Sequence, residues 1–285
     1  MKPVKAAIID LYNNVPNQGM RCIKNLLTNA SESFYNVPLE FEVFDARYKN
    51  ELPDLSFDIY ISTGGPGSPF DSKGKTWEKN YFNLLDDLWA YNAAKLNPPK
   101  YGLFICHSYQ MVARHFEFGE VTPRRSGSFG ILPVHKTQLG EKDPLLEGLN
   151  DPFFAADFRD WQVLQPNKAV MEEMGASILC MEKERPHIDL ERAVMAVRLQ
   201  KEMVAVQFHP EADAEGMLFH FGTGEQKDKI IEDHGYEKYS TIMERLKDPE
   251  YIKKTHDTVI PGFLKRAIKY NRPEIAEVFE ANPVN

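Results

Sequence analysis

Residues 101–116 read YGLFICHSYQMVARHF, and two periodicities meet inside them. Tyr101 to Ile105 is a short continuous apolar run of the kind that forms a strand buried on both faces, whereas Met111, Val112, His115 and Phe116 recur at helical spacing. Cys106 stands between the two. A strand that passes directly into a helix is the repeating unit of a parallel α/β sheet, and ligands of such sheets bind at the carboxyl ends of the strands. The sulfur is thus expected at a ligand crevice, where free N–H groups and the positive end of a helix favour thiolate over thiol. A buried cysteine that merely closes an apolar strand is the alternative.

The same alternation extends outward. Val4 to Asp10, Leu39 to Phe44 and Phe57 to Ser62 read as strands, and Gly19 to Ala30 and Trp77 to Leu96 as helices, the latter stopped by Pro98-Pro99. From Gly119 to Gln207 the texture changes to short β-like runs: Phe129 to Lys136, Val163 to Leu164, Ser177 to Met181, Ala193 to Leu199 and Met203 to Phe208. These are expected as mixed or antiparallel additions to one sheet. From Asp213 onward the chain reads as mostly helical, ending with Pro273 to Ala281. The expected fold is α/β, a mostly parallel central sheet flanked by helices in the flavodoxin-like manner, with a catalytic domain over 1–222 and a helical C-terminal extension over 223–285.

Composition narrows the function classes. The 285 residues hold 34 basic and 42 acidic side chains, a formal net charge of −8, which disfavours binding to a phosphate backbone. No run of 18 apolar residues suggests a membrane span, and the start of the chain lacks a signal-peptide pattern. Three cysteines, Cys22, Cys106 and Cys180, lack C-x-x-C spacing and are too few for a disulfide framework, so a reducing, cytoplasmic setting is expected. Cys22 and Cys180 read as core residues. His187, His220, His234 and His256 are scattered without ligand spacing, so no metal and no cofactor is expected. Arg124-Arg125 reads as a solvated hairpin face, with an anion contact as the alternative.

Two further segments bear on Cys106. Strand Met203 to Phe208 runs into His209-Pro210-Glu211, and in an extended chain residues i and i+2 point to the same side. Glu211 can then orient one imidazole nitrogen of His209 and leave the other for a thiol. Gly64-Gly65-Pro66-Gly67 also follows a strand, where the N–H of Gly65 and that of His107 could hold a developing oxyanion. Taken singly, the first reads equally as a capped turn and the second as a tight turn.

Together and in this order, T-G-G-P-G-S-P, I-C-H-S-Y-Q and V-Q-F-H-P-E resemble the class I (triad) glutamine amidotransferase domain, close to the amidotransferase half of GMP synthetase. The resemblance spans roughly residues 4–214. It implies a catalytic triad of Cys106, His209 and Glu211 on a nucleophile elbow, an oxyanion hole at Gly65 and His107, and a γ-glutamyl thioester hydrolysed by water. It also implies substrate contacts from Gly64, Gln110, Ser128, Phe129, Gly130 and Trp161. The implied substrate is glutamine or a γ-glutamyl compound, and the implied partner is a separate ammonia-accepting synthetase chain, since the stretch after Glu211 is too short for one. Neither nucleic acid nor membrane is expected as a partner. The chain departs from the family's G-x-C-x-G-x-Q elbow by placing Phe104 and Ser108 at the two glycines, and has Arg159 and Trp161 where the family has His and Asp. Readings that remain open are a γ-glutamyl peptide hydrolase, an acyltransferase using the same triad, and a partner-binding pseudoenzyme.

Overall fold

The computed structural model describes residues 2–33, 37–185, 187 and 189–272. The helix expected over Pro273 to Ala281 lies outside the described residues. The strands are β1 (Val4–Asp10), β2 (Leu39–Asp45), β3 (Ile59–Ser62), β4 (Tyr101–Ile105), β5 (Glu120–Lys136), β6 (Phe153–Leu164), β7 (Ser177–Glu182), β8 (Val194–Gln200) and β9 (Met203–Val206). The helices are α1 (Gln18–Ser33), α2 (Ala46–Lys49), α3 (Thr76–Ala93), α4 (His107–Phe116), α5 (Lys168–Met174), α6 (Ala214–Gly222), α7 (Gly224–His234), α8 (Tyr236–Lys247) and α9 (Ile252–Asn271).

All the strands join one sheet in the order β2-β1-β3-β4-β9-β8-β7-β5-β6. From β2 to β9 the pairing is parallel, and from β9 to β6 it is antiparallel. The parallel half is buried on both faces, which is why its strands read as unbroken apolar runs. Along β1, Ala6 and Ile8 enter one core cluster while Ala7 and Ile9 enter the other, the period of two that a pleated strand imposes. Helices α1 and α9 cover the first face, and α9 places Val259, Ile260, Phe263 and Leu264 in the same cluster as β1. Helices α3 and α4 cover the second with Tyr81, Leu85, Met111 and Val112. Each such side chain, fully buried, contributes roughly 1.5–3 kcal/mol.

The antiparallel half departs from the sequence expectation in extent. Strand β5 starts at Glu120, well before Phe129, because Pro123, Arg124 and Gly127 sit at an irregular stretch where the register with β6 shifts between Pro123 and Ser128. Helix α5 was hidden by its shortness; Asn167 caps it by accepting from the Val170 N–H, and Gly175 ends it in the left-handed region at φ 65°. A third apolar cluster, built from Ile131, Ala156, Met217, Phe221, Ile230 and Ile242, holds α6, α7 and α8 over the β5 and β6 ribbon. No helix among the described residues is long and apolar enough to cross a membrane.

Candidate active site

Strand β4 ends at Ile105 and α4 begins at His107, so Cys106 alone makes the turn, at φ 50° and ψ −98°. A non-glycine residue with positive φ is held there by its surroundings. The Cys106 N–H donates to the Val206 carbonyl at 2.8 Å, and the Cys106 carbonyl accepts from the Gln110 N–H at 3.1 Å. Ser108, standing where the family has a glycine, supplies a further brace. Its hydroxyl accepts from the Ile105 N–H at 2.7 Å and donates to the Ser62 carbonyl at 2.8 Å, joining the helix start to β4 and β3. At the other altered position, the Phe104 ring lies in the core, and the space it needs comes from Gly102 on the same side of the strand. A Cβ on Gly102 would stand 3.0 Å from that ring.

Strand β9 continues past Val206 to bring Gln207, His209 and Glu211 to the same crevice. The His209 N–H donates to the Ala156 carbonyl of β6 at 2.9 Å, which fixes the backbone, and His209 Nδ1 lies 2.8 Å from Glu211 Oε1. Glu211 is buried, and His256 of α9 meets its carbonyl oxygen at 3.0 Å. Gly64 supplies the space in which the imidazole and the cysteine meet: a Cβ there would lie 2.9 Å from His209 Cε1 and 3.6 Å from Cys106 Cβ. Burial works against a charge on His209, but its electrostatic interaction with Cys106 and then Glu211, and its hydrogen bond to Glu211, outweigh it and raise its pKa well above the ordinary value.

The Gly-rich loop after β3 approaches so closely that a Cβ on Gly65 would collide with the Leu11 carbonyl oxygen. Arg47, from α2, donates to that same carbonyl at 3.1 Å and to the Pro66 carbonyl at 2.8 Å, so one guanidinium ties the Gly-rich loop to the chain just after β1. His107 is buried beside it. Burial, followed by the Arg47 and Arg114 charges, lowers its pKa to about 3, which keeps the imidazole neutral.

Cys106 opens onto two cavities. The smaller, of about 310 Å³, is lined by Gln110, Ser128, Phe129, Arg159 and Trp161. The larger, of about 710 Å³, is lined by Tyr12, His209, Glu211, Met217 and Phe221, with Phe129 and Phe158 shared between the two. Gly130 lines neither; at φ 137° it carries the backbone beneath Lys238 and Ile242 of α8.

Several contacts were not anticipated from sequence. Gln207 Nε2 points to Cys106 Sγ at 3.7 Å, and its Oε1 accepts from Gln110 Nε2 at 3.2 Å. The alternation that puts His209 and Glu211 on one side includes Gln207 as well, so strand parity was the available signal. Arg159 does not project into the smaller cavity as a free cation. Its buried guanidinium pairs with Asp157 at 2.8 Å and Glu182 at 3.4 Å, and Asp157 in turn accepts from the Ser128 hydroxyl at 2.8 Å. Arg124 joins this cluster through Glu182 at 2.9 Å and its side chain is largely buried, which corrects the expectation of a solvated face at that residue, whereas Arg125 is exposed. Cys22 and Cys180 are buried; burial and then the Asp213 charge push the Cys22 thiol up to about 12, and burial also raises the Cys180 thiol well above its ordinary value. The Phe70 ring leans on Trp161 with centroids 5.3 Å apart.

No known family profile matches the sequence, and no curated protein matches it by sequence. Solved structures do share its fold. It is similar to a glutamine amidotransferase from Thermotoga maritima, with a TM-score of 0.66 and 16% identity over 94% of this chain and 99% of that one. It is also similar to the glutaminase domain of CTP synthase from Trypanosoma brucei with bound acivicin, at a TM-score of 0.53 and 14% identity over 73% of this chain and 86% of that one. A glutamine amidotransferase from Methylobacillus flagellatus superposes at a TM-score of 0.51 and 15% identity, over 97% of this chain and 95% of that one. The chain therefore has the class I glutamine amidotransferase fold.

Proposed function

We propose that this chain hydrolyses the side-chain amide of glutamine through a thioester on Cys106 and delivers the ammonia to an acceptor enzyme that is a separate chain. The observation that carries the proposal is the convergence at Gly64 of a cysteine on a strained elbow and a histidine held 2.8 Å from a buried carboxylate. His209 takes the Cys106 proton, Glu211 stabilises the imidazolium, and the sulfur attacks the amide carbon. The Gly65 and His107 N–H groups receive the oxyanion, each such donor supplying about 3–4 kcal/mol. Ammonia leaves with the proton from His209, and water then splits the thioester to glutamate. Gln110, Ser128, Phe129 and Trp161 would hold the glutamyl portion in the smaller cavity. The fold shared with enzymes described as glutamine amidotransferases supports this reading.

The test is incubation with acivicin, mass mapping of the adduct, and measurement of ammonia release from glutamine against Cys106→Ala. Adduct on Cys106 together with ammonia release in the wild type alone is the expected result. A folded protein that neither labels nor turns over glutamine overturns it.

A further inference from the structure

The two cavities at Cys106 differ in which half of the chemistry they face. Gln110, Ser128 and Trp161 line only the smaller, whereas His209 and Glu211 line only the larger. Because His209 delivers the proton to the departing nitrogen, the leaving group sits on the His209 side, inside the larger cavity. Ammonia is about the size of water, whose share of liquid volume is about 30 Å³. The larger cavity, at about 710 Å³, belongs instead with the roughly 300–1,000 Å³ sites that enclose whole organic ligands.

Its walls indicate what such a leaving group would carry. Val15, Pro16, Phe129, Phe158, Met217 and Phe221 present carbon to the space. The ion pair at its edge, Arg21 with Asp213 at 2.7 Å, offsets its own charge. Aromatic and thioether surfaces of this kind favour an apolar or aromatic body.

We propose that the larger cavity is a leaving-group subsite, and that the enzyme accepts γ-glutamyl amides whose nitrogen bears an apolar or aromatic substituent. This rests on the assignment of Cys106 and His209 made above. The Cys106 thiolate forms the C–S bond to the γ-carbonyl carbon, the C–N bond breaks, and the amine departs with the proton held by His209. Water then breaks the C–S bond, returning the thiol and giving glutamate, so the net reaction is amide plus water to glutamate plus a primary amine.

The experiment compares the full-length wild-type chain on γ-glutamyl benzylamide, on its α-glutamyl isomer and on glutamine, reading benzylamine by mass and ammonia by coupled assay. The expected result is release of benzylamine from the γ-isomer only, with kcat/KM at least tenfold above that for glutamine and none from Cys106→Ala. Val15, half-exposed at the cavity's edge, gives a second arm: Val15→Trp, which narrows the cavity, is expected to lower kcat/KM for the benzylamide at least tenfold. Turnover of glutamine without turnover of the benzylamide overturns the subsite and leaves the glutamine reading standing. Turnover of the benzylamide alone supports the subsite and overturns glutamine as the substrate. A Val15→Trp protein with undiminished benzylamide turnover overturns the placement, and a folded wild type inert to all three compounds overturns both readings.

Discussion

The Ser108 hydroxyl donates to the Ser62 carbonyl at 2.8 Å, fastening the first turn of α4 to the end of β3. In the same position it accepts from the Ile105 N–H, so two buried backbone groups depend on one oxygen. Ser108→Ala should cost about 1–3 kcal/mol of stability, the penalty of leaving buried polar groups unpaired. Urea denaturation measures it. Because the same oxygen braces the turn that carries Cys106, glutamine turnover should fall as well; a variant of unchanged stability would show that the brace is unimportant.

Gly102 and Phe104 share one side of β4, and the ring fills the space the glycine leaves. Gly102→Ala should push against the ring and cost about 1–3 kcal/mol, the usual penalty of overpacking. Phe104→Leu should relieve that clash, so in a double-mutant cycle the pair should be less destabilised than the sum of the single changes. Strict additivity in thermal or urea unfolding would contradict this reading of the elbow.

These two pairs show why the elbow was only half legible in sequence. The position of Cys106 followed from the change of period between Tyr101–Ile105 and Met111–Phe116, a local signal that structure leaves intact. What Phe104 and Ser108 would do was not legible, because their partners, Gly102 and Ser62, matter only through space. The parallel strands declared themselves by being apolar on both faces. Strand β5 did not, since its first half runs through Pro123 and the glycine at 127 and is partly exposed, which removes both alternation and apolar content. Arg159 marks the same limit: the sequence shows it only as a departure from the family's histidine, and its pairing with Asp157 and Glu182 emerges only in three dimensions.

Arg47 is a test of the oxyanion region that leaves the thiol alone. Its guanidinium donates to the Leu11 and Pro66 carbonyls, and no carboxylate among the described residues lies within ion-pair reach of it. Arg47→Met keeps much of the stem but frees the loop that carries Gly65. Charged hydrogen bonds contribute about 1.5–3 kcal/mol each, so kcat for glutamine should fall by about tenfold or more. Alkylation of Cys106 by iodoacetamide, which needs no oxyanion donor, should change little. Equal losses in both rates would place Arg47 in general stability instead.

His209 and Glu211 make the site's stability depend on pH in a definite direction. The folded-state pKa of His209 lies well above its ordinary value, which for a free imidazole is about 6.5. A raised folded value means the contribution is fully present below the unfolded pKa and is lost as pH rises through the folded one. Glu211→Gln removes one of the charges that raise it and leaves the ring hydrogen-bonded but uncompensated. The stability gap between wild type and Glu211→Gln should therefore be widest below about pH 6.5, the ordinary value of an imidazole, and should close as pH rises through the raised folded-state value of His209. Urea unfolding of both proteins across that range reads the gap. Turnover should fall in parallel, by about 10²–10⁴-fold, the usual share of a positioned base, with the base-limited arm of the pH–rate profile displaced to lower pH. A gap that widens toward alkaline pH would mean that the imidazole is held neutral and that Glu211 does not act through its charge.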